Sequence, residues 1–256
     1  MLSVKSARSG LNTTLVQLKP AVILAFSPPA AVAAHKATQA IPIVTSMSQD
    51  PVRLGLAASL SRPGSNVTGI WWGDDQLVGK QLELLTKALP GIARVGVFAN
   101  LNDPTYDTLL NSLPAAGGAL GLAARVIDVR ALSDLDNAFA TGKRENLQAF
   151  LIGTNPYFTS HRAEITNLAA KAKMPCMYGL REFALSGGLM SYGIKLGDMY
   201  RDAARFVDKI LKGIIVADLP IERPTRFEFL VNLKVAKALG LTFSPSFLAT
   251  VDEVIE

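Results

Sequence analysis

Cysteine is nearly absent from this chain. Cys176 is the only one, so no intramolecular disulfide forms and no cysteine-based metal site can be assembled. It lies in the apolar string MPCMY, where a core position is expected. A catalytic thiol would want a neighbouring histidine, and only His35 and His161 are available. Both stand on expected helices without a histidine at i+4, so neither has the usual metal-ligand spacing and both are read as surface or capping residues. Long apolar runs are missing as well. AVILAF and AAVAA are split by Ser27-Pro28-Pro29, well short of the ~20 residues a membrane span needs. The first twenty residues carry Lys5 and Arg8 but lack the ~7–15-residue apolar region of a secretory signal, so the chain as written is expected to carry no export signal.

Charge of one sign is also not concentrated anywhere. Lys and Arg number 26 against 21 Asp and Glu, a net +5, and the longest basic run is the pair Lys143-Arg144. Nucleic-acid binding usually shows a clustered basic stripe, so no such partner is expected. There is no G-x-G-x-x-G after a strand, no G-x-x-x-x-G-K-[ST] and no G-x-S-x-G. Dinucleotide, P-loop and nucleophile-elbow chemistry therefore lack their signatures, and no cofactor is implied. Asp74-Asp75 follows Gly73 directly before a helix, where acidic residues serve as N-terminal caps. The pairs Gly117-Gly118 and Gly187-Gly188 read as helix ends and turns.

What the chain does have is enough apolar material for a core: 49% of its 256 residues are hydrophobic and only 18% charged. That length fits one large domain or two small ones. From residue 21, short β-branched runs alternate with Ala/Leu segments of helical period, the pattern of βα units around a parallel sheet. The expected strands are AVILAF (21–26), IPIVTS (41–46), NVTGI (66–70), RVGVFAN (94–100), ARVIDV (124–129), AFLIG (149–153), PCMYG (175–179) and LMSYG (189–193). Their continuous apolar character suits strands covered on both faces. Helices are expected at 29–39, 51–60, 75–89, 104–120, 133–141, 158–172, 181–186 and 198–212, with Pro29 and Asp103-Pro104 as start signals. LPIERPTRFEFLVN (219–232) reads as a loop and a strand, followed by a short helix, LKVAKALGL, and an extended tail. So many parallel strands fit two sheets better than one, and Leu89-Pro90-Gly91 is the expected break between lobes.

Ligands of open α/β sheets bind past the carboxyl ends of the strands. There lie Ser27-Pro28-Pro29-Ala30, whose hydroxyl and free N–H groups at a helix start could hold a carboxylate. Met47-Ser48-Gln49-Asp50 follows the second strand, and Trp71 and Trp72 follow the third. Thr154-Asn155-Pro156-Tyr157, Tyr178, Arg181-Glu182 and Tyr192 come from the later strands. Together they offer aromatic walls, an amide, an acid and a cation, which suits a small zwitterion better than bond breaking. The alternative for Trp71, Tyr178 and Tyr192 is core or hinge packing.

The segments LKPAVILAFSPPAAVAAHKATQAIPIV, DPVRLGLAASLSRPGSNVTGI, HRAEITNLAAKAKMPCMYGLREFALSGGLMSYG and DLPIERPTRFEFLVNLKVAKALGL resemble the ABC-transporter substrate-binding protein family that includes aromatic amino-acid binders. The likeness covers about residues 15–256. It implies a type I periplasmic-binding-protein fold: two Rossmann-like α/β lobes, a three-segment hinge, and a ligand closed between them. The implied lobes are 1–90 plus 194–217 and 91–193 plus 218–256. The resemblance also implies no catalysis, permease membrane subunits as partners, a monomer, and a periplasmic or lipid-anchored extracellular place; without a signal, the chain as written would be cytoplasmic. Ser27, Pro28 and Ala30 match the family's small-residue turn that meets ligand, although Pro28 replaces the usual Gly. Asn155 falls where many members have Asp, which would weaken the hold on a ligand ammonium. Tyr178, Arg181, Glu182 and Tyr192 fall at the family's cleft-facing strand ends.

Members of the family carry a signal and then a strand, a helix and a second strand ahead of the LKP motif. The first lobe is accordingly expected to be truncated, with AVILAF as a bare edge, from a reading frame that starts late or a degraded gene. Two other readings stand beside this one: a ligand-sensing regulatory domain of the same fold, which would need a DNA-binding module, and a doubly wound isomerase or hydrolase acting through Asp74, Asp75 or Glu182.

Overall fold

The computed structural model describes residues 14–103 and 106–256, with the side chains of 74–76 and 108 outside that description. Lys5 and Arg8, Pro104 as a helix start, and the capping or catalytic use of Asp74 and Asp75 all lie outside the described residues. In chain order the elements are β1 (Ile23–Ala25), α1 (Pro28–Ala37), β2 (Ile43–Met47), β3 (Val67–Trp71), α2 (Asp74–Ala88), β4 (Arg94–Ala99), α3 (Asp107–Gly118) and β5 (Ala123–Asp128). Then follow α4 (Leu135–Arg144), β6 (Ala149–Ile152), α5 (Pro156–Ser160), α6 (Arg162–Ala172), β7 (Cys176–Tyr178), α7 (Arg181–Leu185), β8 (Met190–Ile194) and α8 (Leu196–Leu211). The chain finishes with β9 (Phe227–Asn232), α9 (Leu233–Ala238), α10 (Pro245–Leu248) and β10 (Glu253–Ile255).

Two compact units result: the chain up to Gly73 with Leu196–Thr225, and Asp74–Lys195 with Arg226–Glu256. The first division therefore falls at Gly73, not at Leu89-Pro90-Gly91. The reason is packing: α2 lies on α3 of the second unit, and Gln81 on α2 donates to the Tyr192 carbonyl at the end of β8, 2.7 Å. Leu89-Pro90-Gly91 is merely the tight turn into β4, closed by Ile92 N–H on the Leu89 carbonyl with Gly91 at φ +84. Residues 218–225 go to the first unit because Thr68 Oγ1 donates to the Leu219 carbonyl and Glu222 exchanges backbone bonds with Gly69 and Trp71.

The first unit is a parallel sheet in the order β1-β2-β3. Every residue of β2 is buried, as its unbroken apolar run requires. On one face α1 packs Ala31 and Ala34 against Ile43, Met47, Val67 and Leu56. The other face is covered by α8, which buries Ala203 and Phe206. Gly69 permits the β2–β3 ladder: its φ is +137, and a Cβ there would lie 1.9 Å from the Thr45 carbonyl oxygen. Among the described residues β1 is an edge strand, and Leu24 is 54% exposed. The helix expected at 51–60 does not form. Asp50 Oδ1 accepts from Val52 N–H at 2.8 Å, and Gly55 at φ +70 ends the turn, so local side-chain bonding wins over helical period.

The second unit is a seven-stranded sheet in the order β10-β9-β8-β7-β6-β4-β5. It is parallel except that β9 runs antiparallel to β8, and β10 then pairs parallel with β9. The tail expected to be merely extended thus folds as α10 and an edge strand. The helix expected at 158–172 starts earlier and breaks at His161 into α5 and α6. A ring cluster of Phe98, Phe139, Phe150 and Phe158 fills one side of the sheet, with Phe98 and Phe150 centroids 4.9 Å apart. Pairs of this kind add about 0.5–1.5 kcal/mol beyond area burial. Gly96 makes the room, since a Cβ there would fall 2.2 Å from the Phe150 ring.

Candidate functional site

In the first unit, β1, β2 and β3 are parallel and end on one rim. Ser27, just past β1, is the N-cap of α1: its Oγ accepts from Ala30 N–H at 3.3 Å. That arrangement overturns the anion-holding reading of the turn. Pro28 and Pro29 have no N–H, Ala30 N–H goes to Ser27 Oγ, and Ala31 N–H goes to the Ser27 carbonyl. Residues 28–31, the first turn of the helix, therefore have no spare backbone donor for a ligand. Ser48, past β2, contributes its carbonyl, which accepts from Trp71 Nε1–H at 2.9 Å. Asp50 is spent as the cap of the 51–55 turn.

Trp71, the last residue of β3, is half-buried, pinned at its indole nitrogen by Ser48. The sequence reading missed its partner: the Arg223 guanidinium carbon lies 3.9 Å over the Trp71 ring centroid. Register explains the pair. Ile70 and Glu222 bridge in parallel, so Trp71 and Arg223, one residue further on each strand, share a face. Glu222 is held by Arg205 of α8 through two bonds of 3.0 and 2.5 Å. The Arg205 hydrogen bonds keep the Glu222 carboxyl below the ordinary carboxylate range against the opposing effect of burial.

In the second unit, Asn155 caps α5, accepting from Tyr157 N–H at 2.8 Å and Phe158 N–H at 3.4 Å. Tyr157 Oη accepts from Leu132 N–H at 2.8 Å, and its ring leans on His161. Tyr178 is not a wall of any open site. It is wholly buried, stacked on Phe183 at 4.7 Å, because it lies on a central strand covered on both faces. Burial, with Cys176 beside it, pushes its phenol well above the ordinary value. The buried Cys176 thiol is likewise pushed up to about 12, so it is core and not a nucleophile.

Arg181 binds Glu228 Oε2 at 2.7 Å and Glu253 Oε2 at 2.9 Å. Burial raises the Glu228 carboxyl; Arg181 and Lys195 oppose that shift, and Glu182 reinforces it. Tyr192 stacks on Phe227 at 5.8 Å and meets Phe229 edge-on, and burial raises its phenol above the ordinary value. Alternation along β9 puts Phe227 and Phe229 on one face and Glu228 on the other. Tyr192 and Arg181 thus engage opposite faces of the sheet and do not form one wall. Among the described residues no three His, Cys, Asp or Glu side chains are placed to hold a metal, and no helix is long and apolar enough to cross a membrane.

A family model described as "ABC transporter substrate binding protein" matches residues 6–255. The tyrosine-binding protein of Clostridioides difficile (strain R20291) is 26% identical over 248 residues, covering 94% of this chain and 70% of that protein. The solved ABC domain of Streptococcus pneumoniae in complex with L-Trp superposes with a TM-score of 0.88 at 22% identity, over 98% of this chain and 84% of that one. A conserved domain protein of Vibrio cholerae gives 0.89 at 23% identity, over 97% and 83%. The fold of this chain is the type I periplasmic-binding-protein fold.

Proposed function

Because the chain belongs to the ABC transporter substrate-binding protein family, we propose that it captures an amino acid for an ABC importer and performs no chemistry on it. The observation that carries this reading is the family match along residues 6–255, joined to two α/β units between which the chain passes three times. The relatives that bind tyrosine and L-Trp favour an amino acid as the solute. Each unit supplies strand-end residues: Ser27, Ser48 and Trp71 from one, Asn155, Tyr157 and Tyr192 from the other. Hinge closure about the three crossings is the proposed response to ligand. Permease membrane subunits on the outer face of the membrane are the proposed partners, and a monomer the proposed state.

Asn155 enters this reading as a helix cap whose carbonyl oxygen already accepts two backbone N–H groups. Without a formal charge it gives a ligand ammonium less than a carboxylate would. Arg181, paired with two carboxylates, is proposed as an anchor between β7, β9 and β10.

The test is thermal unfolding against aromatic and branched amino acids and small aromatic carboxylates. At ligand near 100 times Kd, linkage gives about 2.7 kcal/mol, which for ~250 residues raises Tm by roughly 5–10 °C. A shift of that size with one amino-acid class supports the reading. A cooperative transition that no amino acid moves at millimolar concentration overturns it.

A further inference from the structure

Basic residues are scattered along the sequence, and the topology of the second unit gathers a group of them. Strands β5, β4, β6 and β7 are parallel neighbours, so their starts share one rim with the ends of the helices that lead into them. The four stretches on that rim, 86–95, 119–126, 142–149 and 170–176, hold seven Lys and Arg and a single acid, Glu145. Past the opposite ends of β5 and β6, residues 128–136 and 153–164 carry four acids against two bases.

Cations at helix ends complement the macrodipole, which accounts for Lys87, Lys143, Arg144 and Lys171. It does not account for Arg94 and Arg125, which stand on strands. Nor does it explain Lys173, held at φ +52, where glycine is the ordinary occupant. Glu145 is turned inward, its side chain 20% exposed against 58% for the Arg125 that binds it, and its carbonyl accepts from Arg94 at 3.2 Å. Helices α4 and α6 pack on each other, and a Cβ on Gly142 would meet Met174 Cε at 3.4 Å. Lys143, Arg144, Lys171 and Lys173, all exposed, therefore project from one patch.

We propose that this rim is a docking surface for the anionic headgroups of a lipid bilayer. Its cations sit on separate strand starts and helix ends, three of them lysines on flexible stems, which suits a plane of mobile charges better than one fixed anion. None of these elements offers a free helix or ribbon to a nucleic-acid groove. For a protein that hands its solute to a membrane permease, the contact confines it to the surface where the permease lies. Docking there depends on the charged rim and not on which solute the protein carries.

Co-sedimentation of the full chain with vesicles tests the assignment, using phosphatidylcholine alone and an equimolar mixture with phosphatidylglycerol. Wild type should sediment with the mixed vesicles at about 0.05 M salt and be released at about 1 M, where the Debye length falls to ~3 Å. Each cation near the surface adds about fivefold in affinity, so Lys143→Gln, Arg144→Gln, Lys171→Gln and Lys173→Asn together should weaken binding by at least ~100-fold. A control with the same net charge, Lys19→Gln, Lys36→Gln, Arg53→Gln and Arg62→Gln, changes exposed residues of the first unit. It should stay within about threefold of wild type. If the rim variant fails to fold, Lys143→Gln with Lys171→Gln replaces it, with an expected loss of about 25-fold. Absence of binding, equal binding to phosphatidylcholine alone, insensitivity to salt, or equal losses in rim and control variants overturns the assignment. So does a DNA duplex that strips wild type from the mixed vesicles at equal phosphate concentration, which would give the rim to nucleic acid.

Discussion

Cys176 illustrates how a residue's surroundings decide its chemistry. The thiol is enclosed on β7, donating to the Met174 carbonyl at 3.4 Å, and burial raises it to about 12. The thiolate is the reactive form, so native protein at pH 8 should take up almost no iodoacetamide over hours while denaturant-unfolded protein is alkylated fully. Mass spectrometry reads both states, and stoichiometric labelling of folded protein would contradict the burial. Its place in MPCMY made this legible in the sequence. Tyr178, two residues on, was not legible in the same way: a tyrosine at a strand end reads equally as a ligand-facing ring or as core, and only the Phe183 stack decides. Trp71 stood out in the sequence, but Arg223, more than 150 residues away along the chain, carried no local sign of lying over it.

At the scale of elements, the parallel strands were legible because buried parallel strands need unbroken β-branched runs. The failures occurred where short polar contacts outbid periodicity. Residues 51–60 had apolar spacing for a helix, yet the Asp50 cap and Gly55 turned the chain early. The pairing of residues 221–222 with β3 shows the opposite situation, since one isolated bridge is too short to leave a pattern. Arg205 and Glu222 join that segment to α8. The Glu222 carboxyl sits below its ordinary 4.5 in the folded protein, so its stabilisation is present above that value and is lost as pH falls through the folded one. The pair is well exposed, and solvent screening limits it to about 0.2–1 kcal/mol. Denaturant melts should therefore show Glu222→Gln less stable than wild type by that amount at pH 7. The gap should narrow as pH falls below 4.5 and through the lower folded value; a constant gap across the range would mean that the loss is not electrostatic.

At the scale of the whole molecule, the chain builds two units of unequal construction. Among the described residues the first has a three-stranded sheet and the second a seven-stranded one. Among the described residues β1 is bonded on one side only, whereas β6 is paired on both sides and fully buried. Local opening free energy follows burial and ladder bonding, so amides of Ile23–Ala25 should exchange at least ~10-fold faster than those of Ala149–Ile152. Hydrogen exchange followed by mass spectrometry would show it, and equal protection would mean that β1 is covered in solution. The boundary between the units could not be read from Pro-Gly punctuation. A Pro-Gly turn marks any sharp reversal, and at Pro90-Gly91 it serves a helix-to-strand turn inside the second unit.

The chain's local pattern was enough for the fold class, the succession of its strands as far as β9, the core role of its lone cysteine and the family to which it belongs. These depend on local runs, periodicity and composition, which the chain carries residue by residue. Tertiary structure alone decided that residues 28–31 of α1 have no donor to spare, that Tyr178 is enclosed, that Arg181 and Tyr192 serve opposite faces, and that Arg223 lies on Trp71. Each of these depends on which distant strand becomes the neighbour, and pairing between strands far apart in sequence is set by the packing of the whole sheet.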